Sequence, residues 1–131
     1  EEANQQFVAN SKIYSSLANK KIKKEELSNL PFVLQSPLSS SRKFLDKLCK
    51  KYKINLKENY ELESYDLTLE FVKAGLGIGL INTNHIKKEL ENNKLFILNT
   101  DIDIPKRKIN IDINKKEKDN KYLNEFISYL K

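Results

Sequence analysis

All three glycines of this 131-residue chain lie in one stretch, Gly75-Leu76-Gly77-Ile78-Gly79. Glycine takes a positive φ without steric cost and lets another backbone approach closely. A helical apolar pattern, Leu67 to Val72, precedes the stretch, and the apolar run Ile78 to Ile81 follows it. The order predicts a helix that stops at Gly75 and turns tightly into a buried strand. It excludes a dinucleotide fingerprint, which runs from strand to helix with G-x-G-x-x-G spacing so that phosphate meets a helix N-terminus. Here the order is reversed and the spacing is G-x-G-x-G. No Lys-Ser/Thr pair follows, so the stretch is not a P-loop either.

Around this turn, strand and helix patterns alternate. Phe7-Val8-Ala9 reads as a strand, with Ser11 opening a short helix that carries Ile13, Tyr14 and Leu17. A second short helix spans Lys23 to Asn29. Phe32-Val33-Leu34 is an apolar strand, broken by Gln35-Ser36-Pro37. Ser39-Ser40-Ser41 opens a helix whose apolar face is Phe44, Leu45, Leu48, Cys49 and Tyr52. Tyr60 to Ser64 alternates as a half-exposed strand does. Asp66 is placed to cap the helix before the glycines, with Leu67, Leu69, Phe71 and Val72 inward. Thr83 or Asn84 caps a helix carrying Ile86 and Leu90, which stops at Asn92-Asn93. Leu95 to Leu98 is a further strand. Ile109, Ile111 and Ile113 alternate with polar residues, and Asp119 caps a last helix bearing Tyr122, Leu123, Phe126, Ile127 and Leu130. Such alternation predicts an α/β fold with a mostly parallel sheet flanked by helices.

Composition narrows the function. At 39% hydrophobic and 32% charged residues, the chain can bury one core and remain hydrated. No apolar run approaches the roughly 20 residues of a membrane helix. The acidic, polar start, Glu1 to Gln6, is unlike a signal peptide, and the expected compartment is the cytoplasm. A lone cysteine, Cys49, excludes an intramolecular disulfide and a cysteine-cluster metal site, and reads as a buried thiol. The net charge is +6, but only Arg42 and Arg107 carry the guanidinium fork that reads bases and phosphates. The charge therefore does not argue for nucleic-acid binding by this chain.

The ordered set of these features resembles the substrate-binding domain of LysR-type transcriptional regulators. The resemblance rests on Phe71-Val72-Lys73-Ala74-Gly75-Leu76-Gly77-Ile78-Gly79-Leu80-Ile81, then Glu89-Leu90 before Leu95. Upstream it rests on Glu26-Leu27, Pro31-Phe32-Val33-Leu34 and Ser40-Ser41-Arg42, and downstream on Pro105-Lys106-Arg107-Lys108-Ile109. It covers nearly the whole chain. It implies a periplasmic-binding-protein-like fold of type II, two lobes joined by crossover strands, with effector held between them. On that reading residues 11–104 form the distal lobe. Residues 1–10 and 105–131 are the crossover strands and a closing helix that belong with the first lobe. No recognition helix is evident, so DNA is reached only through an N-terminal domain of a parent protein. A closing helix without its first lobe either folds back or is exchanged between protomers, which points to a homo-oligomer.

Three strand ends are the candidate binding positions, because ligands in open α/β sheets sit at the carboxyl ends of strands. The first is Gln35, Ser36, Ser39, Ser40, Ser41 and Arg42, at a helix N-terminus that favours an anion. Arg42 there either pairs an effector carboxylate or makes a structural ion pair. Ser64 and Tyr65 form the second, and Asn82 and Thr83 the third. Each also reads as ordinary helix capping. His85 has no acidic partner or nucleophile tied to it by a motif, so no catalytic site is expected and the chain is not read as an enzyme. Asp101 and Asp103 lack the further ligands of a calcium loop, and no metal or cofactor is expected. The leading function is sensing of a small anionic metabolite for a regulator. The alternative is a lobe of a solute-binding protein of a transport system.

Overall fold

A computed structural model describes residues 2–108. Its strands are β1 (Glu2–Ala3), β2 (Gln5–Asn10), β3 (Lys21–Ile22), β4 (Pro31–Gln35), β5 (Lys57–Leu62), β6 (Gly79–Asn82), β7 (Leu95–Ile97), β8 (Asn99–Thr100) and β9 (Arg107–Lys108). Its helices are α1 (Lys24–Leu27), α2 (Ser40–Tyr52), α3 (Tyr65–Lys73) and α4 (Lys87–Glu91), with single 3-10 turns at Ser15–Leu17 and Thr83–His85. The strand expected at Ile109–Ile113 and the helix expected from Asp119 lie outside the described residues.

Two ladders make the central sheet. β4 pairs in parallel with β5, and β2 lies between β6 and β7, antiparallel to both. A parallel bridge from Phe32 to Ile78 joins them, giving the order β5–β4–β6–β2–β7. It is held by Val33 N–H to the Ile78 carbonyl at 2.8 Å and Ile78 N–H to the Pro31 carbonyl at 2.9 Å. β3 and β8 pair in parallel beside it, and β1 pairs antiparallel with β9. The sheet is thus mixed where the sequence predicts a mostly parallel one. The cause is β2, which enters the middle of the sheet against the direction of β4 and β6. Gln5–Asn10, within the residues 1–10 expected to cross over toward a first lobe, runs through the middle of this sheet.

Strand periodicity sorts the core onto two faces. Phe7, Ala9, Phe32, Leu34, Ile78 and Leu80 join Leu45 and Leu48 of α2 and Leu27 of α1. Val8, Val33 and Ile81 point the other way, onto Val72 of α3, Ile86 and Leu95. Helices on both faces explain why Phe32-Val33-Leu34 is apolar without alternation. Phe7 and Phe32 meet edge to face, with ring centroids 5.5 Å apart.

The glycine turn follows its expected form. Gly75 has φ +82°, its N–H bonds the Val72 carbonyl and the Leu76 N–H bonds the Phe71 carbonyl, a Schellman closure of α3. Gly79 has a different reason: a Cβ there would stand 2.6 Å from Cγ2 of Val72. The sheet and α3 touch at this point.

Several caps fall elsewhere than expected. Asn10, not Ser11, takes the turn, accepting from the N–H groups of Lys12 and Ile13 at 2.9 Å. Ser64, not Asp66, caps α3, and Asn82, not Thr83 or Asn84, caps the 3-10 turn before α4. In each case the capping oxygen lies two or three residues before the N–H that donates to it, the spacing of an N-cap. Thr68, rather than Leu67, shares the inner face of α3 with Val72. β5 runs over Lys57–Leu62 and is exposed along most of its length, because among the described residues it is the sheet edge.

Candidate functional site

The carboxyl ends of β4, β5 and β6 lie along one rim of the sheet, since Ile78, which leads into β6, bridges β4 in parallel. The amino end of β2 lies on the same rim, with Gln5 opposite Asn82. Two helices begin there. Ser39 Oγ accepts from Arg42 N–H at 3.0 Å to cap α2, and Ser64 Oγ accepts from Leu67 N–H at 3.0 Å to cap α3. The Gln35–Arg42 segment is tied to β5 by Ser36 N–H donating to the Leu62 carbonyl at 2.9 Å, and to itself by Ser39 N–H donating to the Ser36 carbonyl. The structure therefore brings together all three groups of sequence-expected positions.

Within that rim their roles separate. The Arg42 guanidinium does not stand free. It donates to the Gln35 carbonyl at 2.8 Å and lies 3.0 Å from Asp46, 3.3 Å from Glu61 and 3.9 Å from Glu58. Its side chain is only 14% exposed. Burial works against its charge, but Asp46 and the glutamates outweigh that and raise its basicity further. Arg42 thus makes a set of structural ion pairs that clamps β4, α2 and β5 together. Thr83 is also engaged structurally: its N–H and hydroxyl both donate to the Asn4 carbonyl, at 2.9 and 3.2 Å. Ser40 stays on the exposed side of the helix start, while Gln35 and Ser36 are buried.

Tyr65 links Asn82 to His85, for which the sequence offers no motif partner. Asn82 N–H donates to Tyr65 Oη at 3.1 Å, and Tyr65 Oη lies 2.8 Å from His85 Nδ1. The imidazole tautomer sets the direction of that bond: the tyrosine donates when Nδ1 is bare and accepts when Nδ1 carries the proton. Burial raises the Tyr65 pKa above its ordinary value, while the Asn82 N–H pulls it down and Asp66 pushes it up, so the phenol stays protonated at neutral pH. His85 was invisible as a partner because twenty residues of chain separate the two rings.

Gln5 was missed as well. It lies in the buried phase of β2, on the same side as Phe7 and Ala9, and its Nε2 donates to Ser41 Oγ at 3.1 Å. Its Oε1 and the Nε2 of Gln35 are buried without a hydrogen-bond partner among the described residues. An unmet buried acceptor or donor costs about 1–3 kcal/mol, so each of these amides is left with an uncompensated group at the rim. The available signal was a polar residue in register with buried apolar ones. Leu38, at the tip of the segment, is 84% exposed. The rim can accept hydrogen bonds, donate them and place helix N-termini toward an anion.

The LysR substrate binding domain family matches residues 4–131, and the chain belongs to that family. Its α/β architecture is the periplasmic-binding-protein-like type II fold of LysR effector-binding domains, a family of transcriptional regulators. A probable RuBisCO transcriptional regulator of Synechocystis sp. (strain ATCC 27184 / PCC 6803 / Kazusa) is 38% identical over 79 residues, covering 58% of this chain and 23% of the relative. A RuBisCO operon transcriptional regulator of Acidithiobacillus ferrooxidans is 33% identical over 79 residues, covering 60% of this chain and 26% of the relative. The chain therefore spans about a quarter of the length of these curated relatives. The regulatory domain of Synechocystis PCC6803 CcmR, solved in complex with 2-PG, aligns with TM-score 0.69 at 19% identity, covering 98% of this chain and 62% of that one. Among the described residues, no helix is long and apolar enough to cross a membrane.

Proposed function

We propose that this chain forms the distal lobe of the effector-binding domain of a cytoplasmic LysR-type regulator and supplies one wall of a cleft for a small anionic metabolite. The carrying observation is the convergence of three strand ends and two serine-capped helix starts with two buried, unpartnered amide atoms, Gln5 Oε1 and Gln35 Nε2. Such a rim matches an anion that also bears a hydrogen-bond donor. Gln35, Ser36, Ser39, Ser40 and Ser41 form the anion-facing segment, Ser64, Tyr65, Asn82 and Thr83 its flank, and Arg42 holds the segment in place. The 2-PG bound by the CcmR regulatory domain supports a small ligand at this type of domain. Division into a distal lobe over about residues 11–104, with 1–10 and 105–131 as crossover and closing segments, is part of the same proposal. So is DNA contact through an N-terminal domain of the parent protein. The transport-lobe alternative gains nothing from the relatives, which are transcriptional regulators.

A homo-oligomer belongs to this reading. Among the described residues β5 is an open sheet edge, and beside it Tyr60 and Leu67 are 40% and 45% exposed, with Tyr60 and Phe71 edge to face at 5.2 Å. An exposed edge with an apolar margin is normally covered.

The test is a thermal-shift series on the full-length regulator with carboxylated and phosphorylated metabolites. A true effector at about 100 times its Kd stabilises by about 2.7 kcal/mol. Gln35→Ala and Ser41→Ala lower that shift when each is measured from the variant's own unliganded midpoint. A ligand whose effect survives both changes sinks the site assignment.

A further inference from the structure

We propose a second ligand site on this lobe, at the end of the sheet opposite the rim, for a small anion that also carries a hydroxyl or ammonium donor. β2 runs from Gln5 at the rim to Asn10 at this far end, about 17 Å at the usual rise per strand residue. A recess of about 480 Å³ opens there, between the end of β2, the end of α3 and the loop after α4. Its polar lining is Asn10, Lys12, Lys73, Glu89, Asn93 and Lys94.

The walls are fixed by the backbone. Asn10 Nδ2 donates to the Lys73 carbonyl at 2.8 Å, while its Oδ1 holds the Lys12 turn. Ser11 N–H donates to the Lys94 carbonyl at 3.0 Å, and Lys94 N–H to the Glu89 carbonyl at 2.8 Å. Asn93 adopts φ +56° to make the bend. Strand end, helix end and loop are therefore cross-tied around the recess, not merely adjacent.

The charges inside are not matched. Three lysines and one glutamate line the recess. Among the described residues, Lys12 and Lys94 have no ion pair, and Lys73 has only distant ones, 3.8 Å to Glu70 and 4.0 Å to Glu89. Glu89 Oε2 is buried and has no hydrogen-bond partner among the described residues. The lysines call for an anion. The orphaned carboxylate oxygen calls for a donor and repels a bare anion. One molecule bearing both groups, such as a hydroxylated phosphate or carboxylate, satisfies both. This site does not depend on the rim reading, and it gives the lobe a second place where a metabolite can bias its state.

Amide NMR of the 131-residue chain at pH 8, titrated with glycerol 3-phosphate and with methyl phosphate, tests this. Glycerol 3-phosphate gives saturable shifts confined to residues 10–13, 73 and 89–95. Methyl phosphate, which offers no hydroxyl donor at that pH, binds about tenfold more weakly, the scale of one hydrogen bond to a charged group. Glu89→Ala abolishes that preference. Lys12→Ala and Lys94→Ala each weaken glycerol 3-phosphate about tenfold by the same measure, whereas Lys47→Ala, which removes an exposed charge from α2, leaves it unchanged. The proposal is overturned by shifts confined to the Gln35–Arg42 segment, by no saturable shift, or by a Lys47→Ala effect equal to those of Lys12→Ala and Lys94→Ala.

Discussion

Cys49 sits on the inner side of α2 against the Leu45 and Leu48 cluster, and burial, reinforced by Asp46, pushes its thiol up to about 11 from 9.0. A thiol whose folded value lies above its unfolded value favours the fold while it stays protonated. That contribution is complete below about pH 9 and is lost as pH rises through about 11. Maleimide labelling of the native chain at pH 8 is therefore slow compared with the unfolded chain, and Cys49→Ala has a shallower loss of stability over that alkaline window. Labelling at the unfolded rate at pH 8 contradicts this. Gly79 offers a steric test. Alanine there drives its Cβ into Val72, and overpacking of this kind costs about 1–3 kcal/mol, readable by urea denaturation.

At the scale of elements, the N-terminus of α2 separates neighbouring serines that look alike in sequence. Ser39 supplies the capping oxygen, so Ser39→Ala costs about 1 kcal/mol. Ser40 is exposed, and Ser40→Ala stays within about 0.5 kcal/mol. Equal losses in the two variants contradict this assignment of the cap. Arg42 joins three elements through one guanidinium. Arg42→Ala costs about 1.5–3 kcal/mol, the range for hydrogen bonds to charged groups. Arg42→Lys recovers only part, because an ammonium lacks the fork that reaches Gln35 and Asp46 together.

For the whole molecule, β2 is decisive. It is a local segment by sequence, yet it is sandwiched between β6 and β7 and buries Phe7 against Phe32. Phe7→Ala is expected to cost about 3–5 kcal/mol and to destabilise the sheet as one cooperative unit. The denaturant midpoint falls, with one transition by fluorescence and by circular dichroism. Two separated transitions overturn this and make β2 an appended strand.

Much of this architecture is local and was therefore legible. Helical periodicity placed α2 and α3, glycine chemistry placed the turn after α3, and the apolar run Phe32-Val33-Leu34 announced a strand covered on both faces. The three groups of rim residues could be named because strand ends and helix starts carry their own signals of serine, asparagine and threonine. What the chain order could not convey was pairing at a distance. Whether β2 ran with or against its neighbours, whether Arg42 stayed free or met Glu58 and Glu61, and whether His85 reached Tyr65 all depend on contacts between residues far apart in sequence. Residue pattern fixes which face of an element is apolar and where it starts. Packing of the whole sheet fixes which polar groups spend their hydrogen bonds inside the protein and which, like Gln5 Oε1 and Gln35 Nε2, stay unmet among the described residues.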